Sequence, residues 1–179
     1  EHPVGFRWLT ESAGSNFRMA EFQSAIGLKQ LAKLSDWILK RNQHAAAIIE
    51  VLKEFDFIDT PLFNNVDGNQ HAYYRLYAKI KPGFENINLN NRSLRDGLID
   101  ALEKASVPCF SGACSEIYKE KLFIDAGFTP QTRHPNAAYY SDHAFCFLVH
   151  HTITSQQITN IALTIKNVLS DMQQQLKLK

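Results

Sequence analysis

The sequence predicts an α+β fold, with helices packed on one side of a small, mostly antiparallel sheet. Three observations carry this reading. Apolar residues recur at helical spacing from Met19 to Phe55, a strict alternation runs over residues 72–80, and a single apolar stripe fills residues 158–172. The 179 residues, 45% of them hydrophobic and 21% charged, are enough for one globular unit with a core of its own.

Residues 1–17 hold Gly5, Phe6, Trp8, Gly14, Ser15 and Phe17 without a clean period and read as an irregular approach segment. From there Met19, Phe22, Ala25, Ile26, Leu31, Leu34, Ile38, Ala45, Ile49 and Leu52 follow three- and four-residue steps, with Lys29, Lys33, Lys40, Arg41 and Glu50 on the other face. The run is longer than a typical globular helix, so a kink is expected near Gly27 or Ser35-Asp36. Pro61 and residues 64–70 form a loop. The alternation then places Ala72, Tyr74, Leu76, Ala78 and Ile80 on one strand face and Tyr73, Arg75, Tyr77 and Lys79 on the other, ending at Pro82-Gly83.

Asn91 is the expected cap of a helix over 92–105 that turns Leu94, Leu98, Ala101 and Leu102 inward. A short strand over 107–110, a loop through Ser111-Gly112-Ala113-Cys114, a short helix over 116–123 and a loop over 127–136 follow. Residues 144–149 are an unbroken apolar run of strand length. Thr154-Ser155-Gln156-Gln157 is a capping box that opens the last helix. Ile158, Ile161, Ala162, Ile165, Val168, Leu169 and Met172 form its stripe, and the Gln/Lys tail beyond is expected to fray.

The formal net charge of +1, with Lys and Arg spread along the chain, provides no electrostatic reason for a nucleic acid or an acidic membrane as partner. No apolar run approaches the roughly 20 residues of a bilayer span. Three cysteines (Cys109, Cys114, Cys146) match neither a disulfide framework nor a tight zinc spacing; they fit a reducing compartment, the cytoplasm, and no metal. The chain opens Glu1-His2-Pro3 with no initiator Met and no signal-peptide pattern, which suggests processing or a start inside a longer polypeptide.

The sequence holds no Walker or dinucleotide loop and no Gly-x-Ser-x-Gly elbow. One stretch does carry chemistry: Gly14-Ser15-Asn16-Phe17-Arg18-Met19-Ala20-Glu21-Phe22-Gln23-Ser24-Ala25-Ile26-Gly27. An amide donor at Asn16 and a guanidinium fork at Arg18, just ahead of a helix start, suit a phosphate or carboxylate. The structural alternative has Asn16 capping the helix and Arg18 as a solvated first-turn residue.

This stretch resembles the Gly-x-Asn-aromatic-Arg-Met-x-Glu-x-Gln-x-Ala-x-Gly signature of the DegT/DnrJ/EryC1/StrS family of nucleotide-sugar aminotransferases. Other segments agree in order: residues 5–9 ahead of it, Gln30-Leu31 and Arg41-Asn42 along the helix, and Val107–Tyr118, which resembles a substrate-side loop. Residues 147–154 resemble the family's closing strand and helix start, with His151 where the family usually has Pro. The resemblance implies a fold-type-I architecture, in which residues 1–35 end a large cofactor domain and begin the linking helix and residues 36–179 form the small C-terminal domain.

It also implies a homodimer with composite sites, pyridoxal 5'-phosphate (PLP) as cofactor, and glutamate and a nucleotide-linked keto sugar as substrates, in making surface polysaccharides such as lipopolysaccharide. By position, Asn16 matches the residue that reaches the cofactor phosphate of the neighbouring subunit, and Arg18 one placed to hold the amino donor's carboxylate. Ser111, Cys114, Tyr118 and His150 are candidates for the sugar-nucleotide side, with loop geometry around Gly112 as the alternative for the first three and a structural role for His150. The family's cofactor-carrying lysine precedes the signature. No lysine precedes Lys29 here, so no catalytic residue is assigned and the chain alone is expected to be inactive. A non-catalytic dimerisation or binding module and a sugar dehydratase of the same family are the competing readings.

Overall fold

The computed structural model describes residues 18–60, 69–89, 92–112 and 116–177. Packing divides the chain between Ser35 and Asp36 into two compact units. In the first, helix α1 spans Glu21–Leu31 and buries none of its residues. Its N-cap is Ala20, whose backbone N–H donates to Gln23 Oε1 at 2.9 Å. Helix α2 (Leu34–Leu52) follows a turn at residues 32–33, so the long helical run breaks there; Gly27 lies inside α1 and Ser35-Asp36 inside α2.

The second unit is built on a four-stranded antiparallel sheet in the order β1-β2-β6-β5, with β1 Ile58–Asp59, β2 Leu76–Ile80, β6 Ala144–Phe147 and β5 Cys109–Phe110. The register pairs Leu76 with Phe147, Ala78 with Phe145, and Cys109 with Phe147, so these side chains share one face. That face meets α2, α3 (Leu94–Lys104) and α6 (Ser155–Lys177) in one core containing Ala45, Ile48, Leu52, Leu98, Leu102, Ile165 and Leu169. The α+β class and the small antiparallel sheet are as the periodicity predicts. A further helix, α5 (Pro135–His143), approaches the opposite face, where the Lys79 ammonium stands 5.7 Å from the Tyr140 ring centroid.

Several local expectations are corrected. The strand begins at Leu76 rather than Ala72, because Tyr73 adopts φ 43°, a left-handed backbone that breaks the alternation. Tyr73 is therefore buried and Tyr74 exposed, the reverse of the expected phase. Helix α3 starts at Leu94 with Ser93 as N-cap, its hydroxyl accepting from Asp96 N–H at 3.1 Å; residues 92–93 form β4, paired with β3 (Asn88–Leu89). Asn91, the expected cap, lies outside the described residues, and Ala101 is only half-buried. The short helix over 116–123 resolves into a 3₁₀ turn at Ile117–Lys119 and α4 at Lys121–Asp125.

The expected loop over 127–136 ends in α5, which the periodicity did not announce. The apolar run over 144–149 is a strand only to Phe147. In α6 the capping box forms as expected: Thr154 N–H donates to Gln157 Oε1 at 2.9 Å and Gln157 N–H to Thr154 Oγ1 at 3.3 Å. The helix runs on to Lys177, with Met172 buried and Leu176 packed on the core, so the tail expected to fray is anchored through that residue.

Candidate functional site

Of the two residues expected to hold anions, Asn16 lies outside the described residues. Arg18 is exposed and sits two residues ahead of the Ala20 cap, so it precedes the helix rather than occupying its first turn, and the capping position belongs to Ala20. No carboxylate lies within ion-pair distance of Arg18 among the described residues.

On the sheet side, Ser111 follows β5 and is exposed, beside Gly112 at φ 92°. A Cβ at Gly112 would stand 3.5 Å from the Tyr77 ring, so this loop runs against the outward face of β2, at a backbone geometry that glycine alone adopts freely. Cys114 lies outside the described residues. His150 lies past the C-terminal end of β6, whereas Ser111 follows Phe110, the partner of Cys146 within that strand. At about 3.3 Å per residue the two are well over 10 Å apart along the strand direction, so the sheet does not bring them together. His150 Nδ1 lies 2.8 Å from Thr152 Oγ1, and its carbonyl accepts from Nδ1 of the buried His44 at 3.1 Å, which fixes the His44 tautomer. His151 stacks on Trp37 at 4.5 Å and 16°. Burial, with the neighbouring His150, Arg41 and Lys40 charges adding, lowers its pKa.

Tyr118 belongs to a polar cluster that the sequence did not single out. At its centre Glu116, 4% exposed, accepts from Arg133 Nε at 2.8 Å and Nη2 at 2.6 Å, from Tyr118 O–H at 2.7 Å and from Lys119 Nζ at 2.9 Å. The Tyr118 oxygen in turn accepts from His134 N–H at 3.2 Å, and Thr129 Oγ1 donates to the Tyr118 carbonyl at 3.1 Å. Arg133 also reaches Asp142 at 3.2 Å, which ties the excursion to α5. The Arg133 guanidinium holds the Glu116 carboxyl well below the usual range against the opposing effect of burial, with Tyr118 and Lys119 adding to it. The cluster orders residues 116–134 and spends the Tyr118 hydroxyl internally.

The two cysteines among the described residues lie inside the fold. Cys109 and Cys146 are free and buried, and burial, with Cys146 adding, pushes the Cys109 thiol up to about 12.

Among the described residues, no helix is long and apolar enough to cross a membrane. The lysines are also informative. The ammonium of Lys79 is one of the most shielded, yet it is held charged by Asp59 Oδ2 at 2.5 Å, the reverse of the neutral amine that a carbonyl cofactor requires. Lys29, the first lysine of the chain, is exposed on α1.

Comparison with known proteins gives this geometry a setting. The chain is 28% identical over 154 residues to a 3-amino-5-hydroxybenzoate synthase from Amycolatopsis mediterranei, covering 82% of this chain and 37% of that protein. The aminotransferase from Psychrobacter cryohalolentis matches with a TM-score of 0.78 and 34% identity, over 96% of this chain and 44% of that structure. The E. coli GDP-4-keto-6-deoxy-D-mannose-3-dehydratase, solved with bound hydrated PLP, shares the fold at a TM-score of 0.67 and 19% identity, over 87% of this chain and 36% of that one. The chain thus spans well under half the length of the relatives it matches. A family profile aligned to residues 3–166, together with a 34%-identical counterpart of the same fold, places the chain in the DegT/DnrJ/EryC1/StrS aminotransferase family.

Proposed function

We propose that this chain is the small-domain part of a PLP-dependent aminotransferase that moves an amino group from glutamate to a nucleotide-linked keto sugar, in the cytoplasm and as a homodimer, for surface-polysaccharide synthesis. The observation that carries the reading is the family match over residues 3–166, supported by 34% identity to a solved aminotransferase. Within that reading residues 1–35 close the cofactor domain and 36–179 form the small domain.

The described residues do not fit the covalent anchor of the cofactor, because the shielded Lys79 is salt-bridged and Lys29 is exposed. When bound, PLP supplies an electron sink for the bond changes at the amino-bearing carbon. The role left to this chain is to line the edge of that site: Asn16 for the phosphate, Arg18 for the donor carboxylate, and Ser111, Cys114, His150 and the ring of Tyr118, whose hydroxyl is already bonded to Glu116, on the sugar-nucleotide side.

Two measurements test this. Incubated with PLP and reduced with borohydride, the 179-residue chain should acquire no stoichiometric lysine adduct; a unique modified lysine within it would sink the assignment. Expressed with whatever coding sequence precedes Glu1, the protein should consume glutamate and aminate a nucleotide-linked keto sugar. Loss of a sugar hydroxyl without net amino transfer would replace the transferase with a dehydratase.

A further inference from the structure

The first half of α2 is the weakly anchored part of that helix. Its buried residues, His44, Ala45, Ile48 and Leu52, fall in the second half, and ahead of them Trp37, Ile38, Arg41 and Asn42 are half-buried. A stack of rings joins this half to the connection between β6 and α6. Trp37 lies against His151 with ring centroids 4.5 Å apart and planes 16° from parallel, and the His150 ring stands 4.1 Å from that of His151. Asn42 adds a polar tie, its Nδ2 donating to the His71 carbonyl at 2.9 Å. These contacts lie within one compact unit, and shielding, unlike exposure, is not lost when more chain packs around it.

The stack suits a neutral imidazole. His151 Nδ1 is shielded from solvent and has no hydrogen-bond partner. With the proton on Nε2, the ring leaves only a lone pair there; a second proton would create a charged donor with neither acceptor nor water. Burial, then His150 from the same connection and Arg41 and Lys40 from α2, all work against that proton. Asp36, at the start of α2, makes no ion pair with His151 among the described residues. Arg41 Nε is likewise buried without a partner. The nearby His44 donates from Nδ1 to the His150 carbonyl, and His71 Nδ1 accepts from Tyr73 N–H. The indole face attracts a cation and so opposes release. Against it stand an unpaired buried donor and three like charges.

We propose that Trp37, His151 and His150 form an acid-released clasp, closed while His151 is neutral and opened when it takes a proton, which frees the first turns of α2 from the β6–α6 connection. A ring released to solvent takes its proton near pH 6.5, the stacked ring only at lower pH, so acid favours the open form. The stabilisation given by the clasp is complete above about pH 6.5 and is lost as pH falls through the stacked ring's lower value. The second half of α2 stays in place through Ala45, Ile48 and Leu52 in the core. The clasp stands apart from the transferase reading and is tested without catalysis.

The test is Trp37 emission in the 179-residue chain carrying Trp8→Phe, followed from about pH 8 to about pH 5, across the imidazole range. Emission should be constant above about pH 6.5 and move to longer wavelength below it, as the indole leaves the imidazole and meets water. Far-ultraviolet circular dichroism should keep its folded signal throughout. His151→Phe retains a ring for the stack and removes the titration, so its emission should stay fixed over the same range. Proton NMR of the imidazoles is the second measurement: the resonance absent from His151→Gln should titrate below the ordinary value of about 6.5. A folded chain without the emission shift, the same shift in folded His151→Phe, or a His151 resonance titrating at or above about 6.5 overturns the clasp.

Discussion

At the scale of single residues, Glu116 shows how a buried charge is made tolerable. A carboxylate with 4% of its surface exposed is held by a bidentate guanidinium, a phenol and an ammonium, which between them satisfy both oxygens. Its pKa is lower in the folded chain than in the unfolded one, so the unfolded state binds the proton more readily. The contribution to stability is therefore complete above the ordinary carboxylate pKa of about 4.3 and is lost as pH falls below it. Glu116→Gln keeps the shape and removes the charge, leaving Arg133 without its main partner. The gap in urea midpoint between wild type and variant should be widest at neutral pH and narrow as the buffer is taken below about pH 4. A gap that is constant with pH would show that the carboxylate is not held ionised. Cys109 gives a second residue-level test. With its thiol up at about 12, it should stay unmodified by iodoacetamide at neutral pH in the native chain and react fully once urea unfolds it.

At the scale of elements, two helix ends make a natural comparison. Helix α4 closes with Gly127 at φ 74°, Gly127 N–H donating to Ile124 O and Phe128 N–H to Phe123 O. Helix α3 closes with the same pair of bonds, Ser106 N–H to Glu103 O and Val107 N–H to Leu102 O, but with Ser106 in the left-handed position at φ 63°. The apolar seal between Val107 and Leu102, both buried, holds the motif together despite the wrong residue. Ser106→Gly should therefore stabilise the chain by about 0.5–1 kcal/mol in chemical denaturation, since the relief of the left-handed backbone exceeds glycine's extra unfolded-state entropy. Ala in its place should not stabilise.

Legibility divides along the same lines. The stripe and capping box of α6, the alternating core of β2 and the apolar β6 were readable because each repeats one period over several residues. Helix α5 was not, since Pro135-Asn136-Ala137-Ala138-Tyr139-Tyr140 has no apolar stripe and no side-chain cap. The phase of Tyr73 and Tyr74 was misread because the left-handed backbone at Tyr73 and the bend over residues 74–75 break the alternation just ahead of Leu76. The Glu116 cluster stayed hidden for a different reason: its strongest partner lies 17 residues away, and pairing at that range leaves no local pattern.

At the scale of the whole molecule, the two units differ in how they hide apolar surface. The unit from Asp36 onward closes a core of its own. Helix α1 buries nothing and presents Phe22, Ile26, Leu28 and Leu31 to solvent, with Met19 just ahead of it; Phe22 alone is 67% exposed. Glu21 and Lys29 are the helix's charged residues, too few to make the apolar surface soluble. The 179-residue chain should consequently self-associate, with a light-scattering mass that rises with concentration. Phe22→Glu with Ile26→Lys should return it toward the mass of one chain. Because α1 contributes no buried residue, the same pair of changes should leave the thermal midpoint of the Asp36–Lys179 unit where it was. Loss of that midpoint would mean the helix supports the core after all; a clean monomer in the unaltered chain would mean its apolar surface is covered from within the same molecule.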